Sequence, residues 1–393
     1  MKLWQKEYDL NAQIENFTVG NDPLLDQKLV KYDCLASIAH AQMLGELHIL
    51  TEEEVAKLVW ELNRIIDLQM AGQFKISRSD EDCHTAIENH LVREIGEAGK
   101  KIHTGRSRND QVLTALRLYY KNELSVVEQL AQEFIVFAAG FVDRYGSIEM
   151  PGYTHSRKAM PSSVKLWAGA FSDSMKDNLI LLNTVYQLTD QSPLGTGAGY
   201  GVPIKLNRQF TAQKLGFAKV QENAVYVQNS RGKFEASIVH ALGQIMFDVN
   251  KIATDLIFFS AGERAFFTLP AEICTGSSIM PHKKNPDVLE LLRAKYHVVL
   301  AAEMQLKSGS ANLISGYNRD MQLSKEPVMK TFAVTQESLS ILSLVFGKIT
   351  VNEENCKRGM TNELFATGEV YRLVASGVPF REAYRKVAQK YFH

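Results

Sequence analysis

The stretch FEASIVHALGQIMFDVNKIATDLIFF, Phe234 to Phe259, decides the fold class. Its apolar residues Phe234, Ile238, Leu242, Ile245, Val249, Ile252 and Leu256 recur at steps of three or four, which is one face of an α-helix. Val239, Met246, Phe247 and Ile257 widen the stripe, and a helix apolar on several sides is buried by several neighbours. The same spacing recurs in Trp167, Phe171, Met175, Leu179 and Leu182, and again in Leu289, Leu292, Val299, Leu300 and Met304. Thr51 with Glu54 forms a capping box ahead of a face marked by Val55, Val59, Leu62 and Ile66. Long helices of this kind predict an all-α bundle.

The bulk properties narrow the function. A chain of 393 residues builds a large core and two or three domains. Hydrophobic residues make up 45% and charged residues 22%, a soluble globular balance. Lys+Arg and Asp+Glu are 44 each, so electrostatic capture of nucleic acid or a membrane surface is not expected. No apolar run reads as long enough to span a bilayer, and the start MKLWQKEYDLNAQI lacks the apolar core of a signal peptide. A cytoplasmic location is expected. The cysteines Cys34, Cys83, Cys274 and Cys356 are far apart without a CxxC pair, as in a protein with reduced thiols. Cys274 reads as a small buried apolar residue rather than a nucleophile. His84, His103, His155 and His282 lack metal-ligand spacing.

Polar residues concentrate in HTGRSRND (103–110), GYTH (152–155), GSSIMPHKKN (276–285) and GYNRDMQLSK (316–325). Loops held by rigid helices commonly carry function. Alone, RSRND also fits a cap for a helix starting near Gln111. EMPGYTHSRKAMPSS (149–163) reads as a loop with two prolines before a long helix. SPLGTGAGYGVP (192–203) resembles a phosphate loop only superficially, because no strand precedes it and no Lys-Ser/Thr follows. Its glycines are expected to let backbone approach backbone or ligand. Gly377 and Pro379 read as a stop and restart between two short terminal helices.

The polar loops suggest a chemistry. Arg106, Arg108, Lys283, Lys284, Arg319 and Lys325 supply cations, and Ser, Thr, Asn and glycine amides supply neutral donors. That set suits a small polycarboxylate and an enolate-like intermediate stabilised by preorganised donors. A serine works as a base only in a cationic, amide-lined loop.

At these residues a resemblance enters. GSSIMPHKKNPD resembles the signature of the fumarase/aspartase superfamily, and HTGRSRNDQV, GYTH, KKNPD and YNRD together are similar to its argininosuccinate lyase branch, to which delta crystallins are related. The likeness covers nearly the whole chain. It implies an all-helical subunit of three domains, here 1–106, 107–358 and a small terminal 359–393. It also implies a homotetramer with a twenty-helix core, active sites shared between subunits, and no metal or organic cofactor. The implied reaction is reversible cleavage of argininosuccinate to arginine and fumarate. By the same resemblance Ser277 takes the proton, Lys283 and Asn285 hold the carboxylate that gains charge, and His155, oriented by Glu290, acts on the leaving nitrogen. Thr154, Ser107, Arg108 and Asn109 would bind substrate carboxylates, and Tyr317, Gln322 and Lys325 the arginine end. Ser37 and His84 match further substrate-lining positions.

The chain departs from the family pattern in places. Ser156 and Arg157 stand where Leu-Gln is usual, Met160 where glutamine is usual, and Leu323-Ser324 where two acids are usual. NSRGKFE (229–235) differs from the usual DRDF, and the terminal domain is several tens of residues shorter than the family leads one to expect. These departures bear on the exact substrate. The alternatives are another fumarate-releasing lyase, such as an adenylosuccinate lyase, and a catalytically idle crystallin-like relative.

Overall fold

The structure is a computed structural model describing residues 11–391, so most of the N-terminal stretch read above lies outside the described residues. Among the described residues there are sixteen α-helices and three two-stranded sheets. The fold is all-α, as the helical periodicity predicts. Five helices dominate: Arg108–Tyr145, Val164–Thr189, Lys233–Ser260, Asp287–Gly309 and Lys325–Lys348. On Lys233–Ser260 the whole stripe from Phe234 to Leu256 is buried, but Phe247, expected to widen it, is exposed. Leu300 and Met304 on Asp287–Gly309 are exposed as well. Thr51 caps Glu52–Met70 with the full capping box, its hydroxyl accepting the Glu54 N–H while the Glu54 carboxylate accepts the Thr51 N–H.

The chain divides into two compact units. The first comprises residues 1–126, 182–241 and 301–332. Its core includes Tyr120 stacked on Phe332, with Tyr119 edge-on to both. Burial raises the Tyr120 hydroxyl well above its ordinary pKa, so this ring is a neutral core residue. The second unit comprises 127–181, 242–300 and 333–393. Trp167 is its centre, parallel to Phe346 at 6.1 Å and 4.9 Å from Phe267, with its indole N–H donating to Asp255 at 3.0 Å. The terminal helices Ala366–Ala375 and Phe380–Tyr391 pair around Val370, Ala383 and Val387. The expected stop is present, with Gly377 at φ 95°.

Two further expectations are corrected. Residues 149–163 form a β-hairpin, Glu149–Thr154 against Arg157–Ser163, not a loop. The prolines that argued against strands sit opposite each other, Pro151 against Pro161, where the register shifts and the ladder needs no proline N–H. Gly359 seats this hairpin: a Cβ there would lie 2.9 Å from the Pro151 ring and 3.0 Å from the Phe266 ring. Second, the Arg108–Tyr145 helix is long and apolar enough, by length and composition alone, to cross a membrane. Its charged residues hid this in the sequence, and little of its apolar window is buried within one chain.

Candidate active site

The first unit holds a pocket of about 390 Å³. Arg108–Tyr145 supplies one wall with Arg108 and Asn109. The helix begins at Arg108, earlier than the start near Gln111 that the sequence suggested, with Ser107 just before it. The Ser107 N–H donates to the Asp110 carboxylate at 2.9 Å, and its hydroxyl accepts the Asn109 N–H at 3.3 Å. Arg108 is already engaged, donating to Gln111 at 3.0 Å and lying 3.5 Å from Glu88 and 3.7 Å from Asp82.

A second wall carries His84, fully buried on Cys83–Ile95. Its Nδ1 is 3.1 Å from the Asp33 carboxylate, which also accepts two hydrogen bonds from Gln111 at 3.0 and 3.1 Å. Burial opposes the Asp33 charge, but His84, Arg106 and Gln111 outweigh it and bring the carboxyl down to about 2. Burial likewise opposes the His84 cation, and Asp33 and Asp82 outweigh it, so the imidazole is raised above its ordinary pKa. The His84 Nε2 has no hydrogen-bond partner among the described residues.

The third wall holds Tyr317, Arg319, Gln322 and Lys325. Lys325 is buried between two carboxylates, 2.5 Å from Asp26 and 3.0 Å from Asp22. Burial opposes its charge, but the two acids raise it further above the ordinary lysine range. The Gln322 amide donates to the Thr18 carbonyl at 2.9 Å and accepts from Arg319 at 3.0 Å. Ser37 is not in the lining. It is 1% exposed, and its hydroxyl accepts from Arg106 at 2.8 Å.

The glycine-rich run is no phosphate cradle. The Gly195 and Gly197 N–H groups both donate to Asp110, each at 2.9 Å, so the loop's amides hold an internal carboxylate. Burial pushes the Asp110 carboxyl up despite these donors. Gly195, Gly197, Gly199 and Gly201 all have positive φ, which is why the run is rich in glycine.

The second unit holds the other candidates. Thr154 ends the first strand of the hairpin, and His155 and Ser156 form its two-residue turn. Both turn residues are left-handed, at φ 52° and 58°, the signature of a type I′ turn normally given to Asn-Gly. His155 is exposed at the tip. The signature loop is closed at its neck by an antiparallel bridge, Thr275 N–H to Asn285 at 3.1 Å and Asn285 N–H to Thr275 at 2.8 Å. The Asn285 side chain donates to the Gly276 carbonyl at 3.1 Å. Ser277 Oγ accepts the Met280 N–H at 3.1 Å and lies 3.4 Å from the Ile279 nitrogen. Lys283 is exposed on the loop, and Glu290 is exposed one turn into Asp287–Gly309. Neither His155 nor Glu290 has a side-chain partner among the described residues of one chain. Cys274, expected to be buried, is half-buried beside this loop.

A family model described as a lyase matches residues 7–301. An argininosuccinate lyase of Thermotoga neapolitana is 53% identical over 390 residues, 99% of this chain and 98% of that protein. The chain belongs to the argininosuccinate lyase family. A family member from Bacteroides fragilis is 41% identical, with 98% of this chain and 86% of that protein covered. Among solved structures, an EDDS lyase in complex with formate superposes with a TM-score of 0.80 at 24% identity, covering 97% of this chain and 76% of that one. A fumarate lyase:delta crystallin from Brucella melitensis gives 0.79 at 20% identity, covering 97% and 91%. Those two establish the likeness of fold.

Family motifs did not point to Asp22, Asp26, Asp33, Asp82 or Arg231. Asp26 meets Lys325 across 299 residues of sequence, a pairing with no local signal. Asp82 alone had one, lying two residues before His84 in EDCH. The fold also brings Asp26, Cys83 and His84 within 4.8 Å of one another, a grouping that histidine spacing could not reveal. Lys325 already occupies the Asp26 carboxylate, and burial holds the Cys83 thiol protonated, so these residues do not fit a cation.

Proposed function

We propose that this chain cleaves argininosuccinate to arginine and fumarate by β-elimination. The observation that carries the substrate is the pocket of the first unit. It is lined by carboxylates (Asp22, Asp26, Asp82) and cations (Arg108, Lys325, His84), the mixture of charges that a zwitterionic amino-acid end requires. The family membership carries the reaction.

The roles follow from the chemistry at each position. Ser277 removes a proton from the carbon beside a succinyl carboxylate. Two backbone N–H groups face its Oγ, which favours the deprotonated oxygen it needs. The electron pair moves into that carboxylate, and Lys283 and Asn285 stabilise the charge. It then returns to form the double bond as the carbon–nitrogen bond breaks. His155 delivers a proton to the departing guanidino nitrogen, and Glu290 orients it. Thr154, Ser107 and Asn109 hold succinyl carboxylates. Tyr317, Gln322, Lys325 and His84 line the arginine end, and Ser37 acts behind them through Arg106.

We further propose a homotetramer in the cytoplasm, with the family's three-domain division and sites completed between copies. Each of the five long helices exposes large apolar side chains in one chain, among them Val136, Ile180, Phe247, Leu291, Met304 and Leu344. Such faces call for partners. Four free cysteines fit a reducing compartment.

The test is fumarate release from argininosuccinate, followed by ultraviolet absorbance, with Ser277→Ala alongside. Turnover by the wild type with a loss of about a thousandfold or more in the variant is expected. Release only from another succinyl compound, such as adenylosuccinate, would keep the chemistry and replace the substrate. No release from any of them would leave an idle relative.

A further inference from the structure

Arg231 lies in the run NSRGKFE, which departs from the family pattern. The fold brings it to the lining of the first unit's pocket. It is 7% exposed, and its guanidinium lies over the Tyr317 ring, 4.8 Å from the centroid. Stacking fixes the plane of the guanidinium and leaves its N–H edge free to bond. Among the described residues that edge has no acceptor within hydrogen-bond or ion-pair distance. The side chain as a whole is largely buried, yet no guanidinium nitrogen of Arg231 is among the buried polar atoms left without a partner, so its uncommitted N–H edge is open at the pocket and available to an anion.

The surroundings do not satisfy it. Glu235 is the acid that acts on it, but that carboxylate accepts the Gly232 N–H at 2.7 Å, and burial pushes its carboxyl up toward the neutral form. Arg117, a second cation nearby, is consumed by the Gln191 carbonyl at 2.6 Å and the Ser230 hydroxyl at 2.9 Å. Lys325 is neutralised by Asp22 and Asp26. Arg108 is shared among Asp82, Glu88 and Gln111. Arg319 donates to Gln322 and to the Thr18 carbonyl. Arg231 is therefore the arginine of this lining whose donors are uncommitted.

We propose that Arg231 is a specificity-determining residue that binds the α-carboxylate of the arginine end of the substrate in a bidentate pair. This rests on the argininosuccinate reading above. Tyr317, beneath the guanidinium, belongs with Gln322 and Lys325 to the wall assigned to that end. Asp22 and Asp82 lie in the same lining, where an α-ammonium would share them with Lys325 and Arg108. Recognition of the whole amino-acid head, rather than the guanidino group alone, follows.

The test compares arginine with agmatine, which lacks only the α-carboxylate. Arg231→Met keeps the unbranched aliphatic stem and removes the charge and the N–H donors; Arg231→Lys keeps the charge. Calorimetric binding to the intact protein should show wild type favouring arginine over agmatine by about 10- to 100-fold. Arg231→Met should lose that preference by weakening arginine alone, with Arg231→Lys between the two. In turnover, Arg231→Met should raise KM for argininosuccinate by a similar factor and leave kcat within about threefold. Equal weakening of both ligands would mark a merely structural residue and overturn the proposal. So would a wild type that binds the two alike, or a variant that keeps the preference. Failure of wild-type turnover with an intact arginine preference would sink the argininosuccinate reading and leave Arg231 as a carboxylate receptor.

Discussion

Asp33→Asn isolates a buried pair behind the pocket, Asp33 with the lining residue His84. Asp33 is fully buried, with His84 at 3.1 Å and Gln111 donating twice. Despite burial, these partners and Arg106 take its carboxyl from an ordinary 3.8 to about 2. At about 1.4 kcal/mol per tenfold change in ionisation, that fall corresponds to roughly 2–3 kcal/mol of stability. Removing one partner of a buried pair also strands the other, which costs about 3–5 kcal/mol in comparable cases. A loss of about 3–5 kcal/mol at pH 6 is therefore expected. The sign of the pH dependence follows from the two shifts. Asp33 is depressed, so its contribution is complete above its ordinary 3.8 and is lost as pH falls through about 2. His84 is raised, so its contribution is complete below its ordinary 6.5 and is lost as pH rises through its folded value. The penalty of Asp33→Asn should therefore shrink as pH rises above the ordinary histidine value of 6.5. Urea unfolding followed by tryptophan fluorescence, at fixed protein concentration, reads it directly. A penalty under about 0.5 kcal/mol at pH 6, or one that grows toward pH 9, would refute the ion-pair reasoning.

Ser156→Gly should relieve the left-handed turn and stabilise the protein by up to about 1 kcal/mol in the same assay, whereas a loss would contradict the type I′ reading. Light scattering should give a mass about four times the 44.1 kDa of one chain, and a stable monomer would sink the proposal of sites shared between copies.

Some of this was legible from local pattern. The stripe from Phe234 to Leu256, the Thr51 capping box and the stop at Gly377 are short-range features, so the sequence alone determined the helices and hence the fold class. The signature loop and GRSRNDQ located the candidate chemistry because their functional groups lie close together in the chain. Tertiary structure decided the rest. The hairpin was hidden because its turn residues, His155 and Ser156, are not those that a left-handed turn normally selects. The glycine-rich run was ambiguous because the group its amides serve, Asp110, lies 85 residues away. Lys325 with Asp26, His84 with Asp33 and Arg231 over Tyr317 are pairings between distant segments. Periodicity reports which face of a helix is buried. Which charge a buried charge meets depends on how those faces pack, and only the assembled fold determines that.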